Sequence, residues 1–213
     1  MNENIAGIRK DYVQETLLEE NVANDPITQF SVWWNEAVKS EIEEVNAMTL
    51  ATCSKDAIPS ARIVLLKGFS IEGFTFFTNY QSHKGQNLHD NPHASLVFFW
   101  KELERQIRID GTVEKINKQA SDEYFASRPV ASQIGAWSSP QSNVIENREV
   151  IEQNVLKFFG EFEKKPIVRP PHWGGYIVKP VSIEFWQGRS SRLHDRILYT
   201  LEEGKWTIKR LAP

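Results

Sequence analysis

Near the C-terminal end, residues 185–196 read FWQGRSSRLHDR, which places three arginines and a histidine within eight residues. The whole chain has a formal net charge of -3, so this segment is not part of a generally basic protein. If the segment is extended, Arg192, His194 and Arg196 project from one face, while Asp195 points away and can pair with another cation. Such groups repel one another, so we predict a site for an anionic, electron-accepting ligand. A solvated charged loop is the alternative.

Two further segments combine cations with positions that suit an anion. RIVLLK reads as a strand on which alternation sends Arg62 and Lys67 to opposite faces, so that each could bind a different anion. In TNYQSHKGQNL, Ser82, His83 and Lys84 open a predicted helix whose first backbone N–H groups favour a phosphate. A buried strand with charged ends and a solvated turn are the respective alternatives.

A third candidate anion site surrounds a predicted helix break at Pro129. Tyr124 and Arg128 are four residues apart and share a helical face, and Ser132 follows the break. A phenol, a guanidinium and a hydroxyl can together hold a phosphate, the arginine by a bidentate fork. A structural arginine at a helix end is the alternative.

The elements that must position these residues are mostly short strands. A helix is predicted to begin at Asp25, the candidate N-cap, and a short helix is possible before it. Residues 47–116 contain short β-branched and aromatic segments separated by turns, which predict strands. Helices follow near residues 117–128 and from about Asn143, and the chain ends in a hairpin that turns at Gly204. We therefore expect a mainly β protein with α attachments (α+β), an antiparallel barrel rather than βαβ units.

The composition narrows the possible function classes. Mild acidity argues against nucleic acid as the main partner, and the single cysteine, Cys53, excludes an internal disulfide and fits a reducing compartment. No apolar run is long enough for a membrane span, and the N-terminus lacks the apolar segment of a signal peptide. The five histidines show no metal-ligand spacing. We expect a cytoplasmic protein that binds no metal, no nucleic acid and no membrane.

Six segments occur in an order that resembles a known family. RIVLLK, RQIRIDG, YFASRPVASQIGAW, WGGYIVKPVSIEFWQG, RLHDR and the terminal RLAP are similar to those of the pyridoxine/pyridoxamine 5′-phosphate oxidases, in register from about Arg9 to Pro213. The resemblance implies an FMN-dependent antiparallel split β-barrel that works as a homodimer with FMN at the subunit interface. It also implies a mobile N-terminal segment over residues 1–24 and one FMN-binding domain over 25–213, with helical insertions at about 118–164.

The reaction that the resemblance implies is the oxidation of pyridoxine 5′-phosphate or pyridoxamine 5′-phosphate to pyridoxal 5′-phosphate, with O2 as the acceptor that yields H2O2. The implied FMN-binding residues are Arg62, Ile63, Val64, Leu65, Leu66, Lys67, Phe77, Thr78, His83, Lys84, Gln106, Gln141, Ser142, Trp186 and Arg196. The implied substrate-binding residues are Arg9, Lys10, Asp11, Tyr12, Lys67, Tyr124, Arg128, Ser132, Arg192, Leu193 and His194. Of these, Arg192 and His194 are the implied catalytic residues, and Arg9 to Tyr12 form a lid.

One position departs from the family pattern, and two other functions are open. His83 stands where the family usually has an arginine at the FMN phosphate. Another split-barrel flavin oxidoreductase would need the flavin residues without the predicted substrate-phosphate residues. A non-catalytic carrier of FMN or pyridoxal phosphate would not need Arg192 and His194.

Overall fold

The computed structural model describes residues 11–213, in which nine β-strands and five α-helices form. The strands are β1 (Ala47–Cys53), β2 (Pro59–Leu65), β3 (Gly68–Ser70), β4 (Gly73–Asn79), β5 (His93–Trp100), β6 (Arg105–Lys115), β7 (Trp173–Gln187), β8 (Asp195–Glu202) and β9 (Lys205–Arg210). The helices are α1 (Pro26–Lys39), α2 (His83–Asp90), α3 (Lys118–Ser127), α4 (Val130–Ser138) and α5 (Glu149–Phe162). The predicted site residues Arg9 and Lys10 lie outside the described residues.

The strands pair into one sheet in the order β2-β1-β5-β6-β7-β4-β3, and β8 pairs with β7 and β9. The long strand β7 changes partner along its length. Its first half pairs antiparallel with β4, from Asn79 opposite Trp173, and its second half pairs antiparallel with β8, up to Gln187 opposite Asp195. The prediction of a mainly antiparallel β protein is confirmed. Within residues 11–213, no helix is both long and apolar enough to cross a bilayer.

The chain divides into two compact units. The terminal unit comprises the described residues up to Thr49 together with Ser95–Asp110 and Pro180–Pro213. The central unit comprises Leu50–Ala94 and Gly111–Lys179. Each unit contains a group of the predicted site residues.

Helix α1 supplies the core of the terminal unit. Neighbouring residues fix the position at which the helix begins. The side chain of Asp25 accepts a hydrogen bond from the N–H of Thr28 at 2.8 Å, and Pro26 occupies the first turn. Its buried face carries Phe30 and Trp33, which make aromatic contacts with Phe98 and Phe185. The predicted N-cap and helix are confirmed.

The helices of the central unit differ from the prediction in two ways. The last helix begins at Glu149 rather than near Asn143, and Val144, which precedes it, is fully exposed. Pro129 ends α3 as predicted. It is also the N-cap of α4, a helix that was not predicted from the sequence. A proline blocks the helix before it yet fits the start of the next one, because its φ is already close to helical.

Two predicted extended segments are also corrected. Ser190–Arg192 form a turn with left-handed backbone at Ser191 and Arg192, so the prediction that residues 192, 194 and 196 share one strand face is wrong. The N–H of Arg189 donates to Nδ1 of His194 at 3.0 Å, which closes this turn before β8 begins. By contrast, the hairpin of β8 and β9 turns at Gly204 with a φ of +79°, as predicted. Between residue 11, where the described chain begins, and α1, the structure has a short 3-10 turn at Glu19–Asn21.

Candidate active site

The central unit contains a cavity of about 720 Å³. It lies beside β2 and β4, the start of α2, and the break between α3 and α4. Its lining residues are Arg62, Ile63, Val64, Leu65, Lys67, Phe77, Thr78, Lys84, Tyr124, Arg128, Pro129, Ser132, Gln141 and Trp173. Three separate segments that the sequence marked as candidate anion sites therefore meet in one place.

The lining of this cavity is positively charged. Four of the lining residues are cations, namely Arg62, Lys67, Lys84 and Arg128. None of the described lining residues is an Asp or a Glu. Sequence alternation sent Arg62 and Lys67 to opposite strand faces, but β2 ends at Leu65 and both residues line the same cavity. A cavity with this lining attracts anions.

Arg62 and Lys84 form one charged end of the cavity. Arg62 donates to the carbonyl of Leu50 at 3.1 Å and to the hydroxyls of Thr52 and Ser60 at 2.8 and 2.6 Å, which are neutral acceptors. Burial lowers the pKa of Arg62, and burial together with the charge of Arg62 lowers the pKa of Lys84. The two cations therefore disfavour each other until an anion joins them.

Helix α2 begins next to this charged end. Ser82 is its N-cap and accepts a hydrogen bond from the N–H of Gly85 at 3.3 Å, and Nζ of Lys84 donates to the hydroxyl of Thr78 at 3.2 Å. A Cβ at position 85 would lie 2.2 Å from the carbonyl oxygen of Tyr80, so only glycine allows this close start. The positive end of the helix dipole adds to the charge of the site. The predicted start of a helix at this segment is confirmed, whereas His83 is exposed and is not among the lining residues.

A stack of aromatic rings together with Arg128 forms a second part of the cavity lining, called the Arg128 end below. The rings of Phe77 and Tyr124 lie 3.8 Å apart, and Trp173 is within 7° of parallel to Tyr124. The guanidinium carbon of Arg128 lies 4.6 Å from the centre of the Trp173 ring. Trp173 itself is held through its carbonyl, which accepts a hydrogen bond from Arg169. Trp173 is not among the residues predicted from the sequence, although a tryptophan directly before two glycines at the start of a predicted strand was a signal.

Arg128 is the most informative residue of this end. Its Nη1 is buried and makes no hydrogen bond to any described residue. Burial lowers the pKa of its guanidinium, although a nearby Tyr124 opposes this effect. An unsatisfied buried charged donor is costly, which indicates an anionic partner from outside the chain. Lys67 and Ser132 line the same cavity and can contribute further donors.

Other predicted residues of the central unit lie at or near the cavity. Gln141 lines it, and its side-chain oxygen is 3.5 Å from the hydroxyl of Thr78. Ser142 has left-handed backbone with a φ of +72° and is exposed. Leu66 is buried, 4% exposed, and does not line the cavity.

The remaining predicted residues belong to the terminal unit. Arg196 donates to the carboxylate of Glu184 at 2.7 Å and to the carbonyl of Ala212, and the bond to Glu184 raises its pKa. The sequence suggested that Arg196 is one of three groups that repel one another, but Arg196 is paired with a carboxylate. Asp195 binds Arg189 and Arg210, which confirms that it pairs with cations.

A small aromatic cluster also belongs to the terminal unit. The ring of His194 lies 4.6 Å from Trp186 and 5.9 Å from Tyr12. Gln106 is half-buried on β6, whereas Asp11, Arg192 and Leu193 are exposed. The structure thus brings Tyr12, Trp186 and His194 together within this unit.

Comparison with solved structures first defines the class of protein. PhzG from Burkholderia lata, solved with tetrahydrophenazine-1-carboxylic acid, has a TM-score of 0.88 at 27% identity and covers 94% of this chain and 99% of its own. A pyridoxamine 5′-phosphate oxidase-related, FMN-binding protein from Nostoc punctiforme has a TM-score of 0.70 at 18% identity and covers 89% and 98%. The fold is that of the split-barrel FMN-binding proteins.

Sequence comparison then gives the family. Residues 34–160 match the family described as pyridoxamine 5′-phosphate oxidase, and residues 173–213 match the pyridoxine 5′-phosphate oxidase C-terminal dimerisation region. The pyridoxine/pyridoxamine 5′-phosphate oxidase of Nostoc punctiforme is 55% identical over all of both chains, and that of Salinibacter ruber is 52% identical over 98% and 99%. This chain belongs to the pyridoxine/pyridoxamine 5′-phosphate oxidase family.

Proposed function

We propose that this chain oxidises pyridoxine 5′-phosphate or pyridoxamine 5′-phosphate to pyridoxal 5′-phosphate, with FMN as its cofactor. The observation that carries the proposal is the cavity of the central unit, whose four cations lack an acidic neighbour in the described lining. Cofactor and substrate each bring one phosphate, and the cavity has a charged group at each of its two ends. The buried, unsatisfied Nη1 of Arg128 fits a phosphate oxygen.

The Arg62 and Lys84 end suits the FMN phosphate, because the start of α2 adds its dipole there. The flanking backbone and side chains that would hold the rest of the cofactor are Ile63, Val64, Leu65, Leu66, Lys67, Phe77, Thr78, His83, Gln141 and Ser142. The Arg128 end suits the substrate phosphate, with Lys67, Tyr124 and Ser132 beside it.

The residues that the family resemblance implies next to the reacting carbon are Arg192, Leu193 and His194. When bound, FMN accepts the hydride and passes the electrons to O2, which yields H2O2. Arg192 would orient the substrate ring, with Leu193 beside it. Nδ1 of His194 already accepts the N–H of Arg189, so the neutral ring carries its proton on Nε2 and can donate a hydrogen bond to the substrate from there. Gln106, Trp186 and Arg196 complete the proposed flavin site.

The C-terminal dimerisation region, residues 173–213, indicates a homodimer. We propose further that FMN lies at the subunit interface. The edge strand β2 supports this, because Ile63 is 65% exposed and Leu65 is 37% exposed while both line the cavity. Sedimentation of the purified protein should give a dimer with two FMN, and a fully active flavin-loaded monomer would contradict the shared site. We also propose a cytoplasmic location, which the free thiol of Cys53 fits.

The function is tested directly by purifying the protein and recording its flavin spectrum. Addition of pyridoxamine 5′-phosphate should produce H2O2 and aldehyde in equal amounts, and pyridoxamine without its phosphate should react far more slowly. A protein that binds FMN and pyridoxal phosphate without turnover would be a carrier. Equal turnover with and without the phosphate would favour another split-barrel flavin oxidoreductase.

A further inference from the structure

Glu104 occupies an unusual position between the 3-10 turn Lys101–Leu103 and β6. It is 2% exposed, and its backbone is left-handed, with φ 54° and ψ 39°. Non-glycine residues are uncommon in this conformation. Neighbouring groups hold it there, because its carbonyl accepts the N–H of Gly188 at 2.7 Å and Nε2 of Gln187 at 3.3 Å. The backbone thus directs a carboxylate into the terminal unit.

The carboxylate of Glu104 binds the N-terminal segment. One of its oxygens, Oε2, accepts the backbone N–H of Val13 at 2.9 Å and that of Gln14 at 3.3 Å. The side chain of Gln14 adds a bond to the carbonyl of Glu102 at 2.8 Å. Hydrogen bonds to an ionised acceptor are stronger than neutral ones, so this is a firm attachment for a segment outside any helix or strand.

The residue just before this attachment is Tyr12. Its ring packs edge-on against Trp186 at 5.7 Å and against His194 at 5.9 Å. The ring also fills the space beside Gly188, where a Cβ would lie 2.7 Å from Cγ of Tyr12. The glycine therefore provides the room that the ring occupies.

We propose that Glu104 is a positioning residue, which ties Val13 and Gln14 so that the ring of Tyr12 is held against His194. This inference rests on the proposed function, in which His194 lies next to the substrate, and on the substrate-binding role that the family resemblance implies for Tyr12. Glu104 acts through the backbone of the segment, and Gly188 acts with it by leaving space for the ring. Neither residue belongs to the sites that the sequence predicted.

The first test compares Glu104→Gln with Glu102→Gln, the same chemical change two residues away on an exposed side chain. Loss of the charged acceptor should raise KM for pyridoxamine 5′-phosphate about tenfold, with kcat changed by less than about twofold. Gly188→Ala should give a similar rise, because its Cβ would displace the ring of Tyr12 and would also lie 3.1 Å from Cβ of Glu104. Glu102→Gln should behave as wild type. An unchanged KM in both Glu104→Gln and Gly188→Ala would overturn the proposal.

The second test distinguishes positioning from a merely structural role. If Glu104 acts through Tyr12, the double variant Glu104→Gln/Tyr12→Ala should be no worse than Tyr12→Ala alone. Effects that multiply instead would overturn the proposal.

Hydrogen exchange supplies a measurement that does not need turnover. Glu104→Gln should speed exchange in a peptide that contains Val13 and Gln14, while peptides from α1 keep wild-type exchange. Wild-type exchange at Val13 and Gln14 would overturn the proposal. If the wild-type protein fails to oxidise the substrate, the proposed function falls, and the exchange experiment still decides whether Glu104 holds the segment.

Discussion

The cations that line the cavity of the central unit and Arg196 of the terminal unit have different partners. Lys84 donates to a threonine hydroxyl and Arg128 lies over an indole ring, whereas Arg196 pairs with the buried carboxylate of Glu184. The pKa shifts differ in the same way. Burial lowers the pKa of Lys84 and of Arg128, whereas the bond to Glu184 raises the pKa of Arg196.

This difference separates charge that holds the chain together from charge that is kept for a ligand. A lowered pKa in a buried cation means that the folded chain disfavours the charged form, and an anion can relieve that cost. Three arginines and a histidine lie within residues 189–196, yet two of these arginines, Arg189 and Arg196, have a carboxylate partner. The density of basic residues is therefore a poor guide to anion binding, and pairing is a better one.

The largest effect is expected at Arg192, an exposed arginine in the left-handed turn. If it orients the reacting carbon, Arg192→Ala should lower kcat about a hundredfold, because a small misplacement of reacting atoms is costly. The rate at which the flavin absorbance bleaches at saturating substrate measures this step in a single turnover. Arg148→Ala, at an exposed arginine of the central unit, is the matched control. A wild-type bleaching rate in Arg192→Ala would limit this residue to binding.

Arg128 should behave differently, because the substrate phosphate does not change during the reaction. Its contacts stabilise ground and transition states alike, so Arg128→Ala should raise KM about ten- to a hundredfold with kcat little changed. Turnover of unphosphorylated pyridoxamine should be unaffected by the same variant. A fall in kcat as large as the rise in KM would show that Arg128 acts on the reacting end.

Paired and unpaired cations should have opposite effects on stability. In FMN-free protein, Lys84→Met should raise the melting temperature, because it removes a desolvated charge that has no carboxylate partner in the described cavity lining. Arg196→Met should lower the free energy of unfolding by about 1–3 kcal/mol, because it removes a partner of a buried carboxylate. Thermal unfolding of the two variants shows whether each substitution raises or lowers the stability. Destabilisation in both cases would remove the distinction between the units.

The same lysine predicts how FMN binding depends on pH. A bound phosphate favours the charged ammonium, so the pKa of Lys84 is higher with FMN than without it. FMN affinity should therefore be highest at pH values below the lowered pKa that Lys84 has in the FMN-free protein, and it should fall as pH rises above that pKa. FMN fluorescence quenching between neutral pH and about pH 10.4, the ordinary lysine value, measures this loss. Lys84→Met should bind weakly without this fall, and an identical pH profile in the variant would contradict the assignment.

Local chemistry explains what the sequence could predict. Asp25 before Pro26, Ser82 before α2 and Gly204 in the hairpin each act through neighbouring residues, and each was recognised. Local patterns did not group distant segments, whereas the family resemblance grouped Lys67 with Tyr124, Arg128 and Ser132, and these four residues line one cavity. The stacking of Arg128 on Trp173 depends on the packing of α3 against β7, which no local pattern encodes.

The smallest effect is expected at His83, the first residue of α2. His83→Arg adds a permanent charge beside the proposed phosphate position, and an exposed ion pair of this kind contributes about 0.2–1 kcal/mol, so FMN affinity should rise about two- to fivefold. The same change should slightly lower the stability of the FMN-free protein, because a cation at a helix N-terminus opposes the dipole. His89→Arg places the identical change in the last turn of α2, where it should leave FMN affinity unchanged and favour the helix. FMN titrations at low and high salt should show the gain for His83→Arg mainly at low salt. If His83→Arg matches wild type even at low salt, residue 83 does not reach the phosphate.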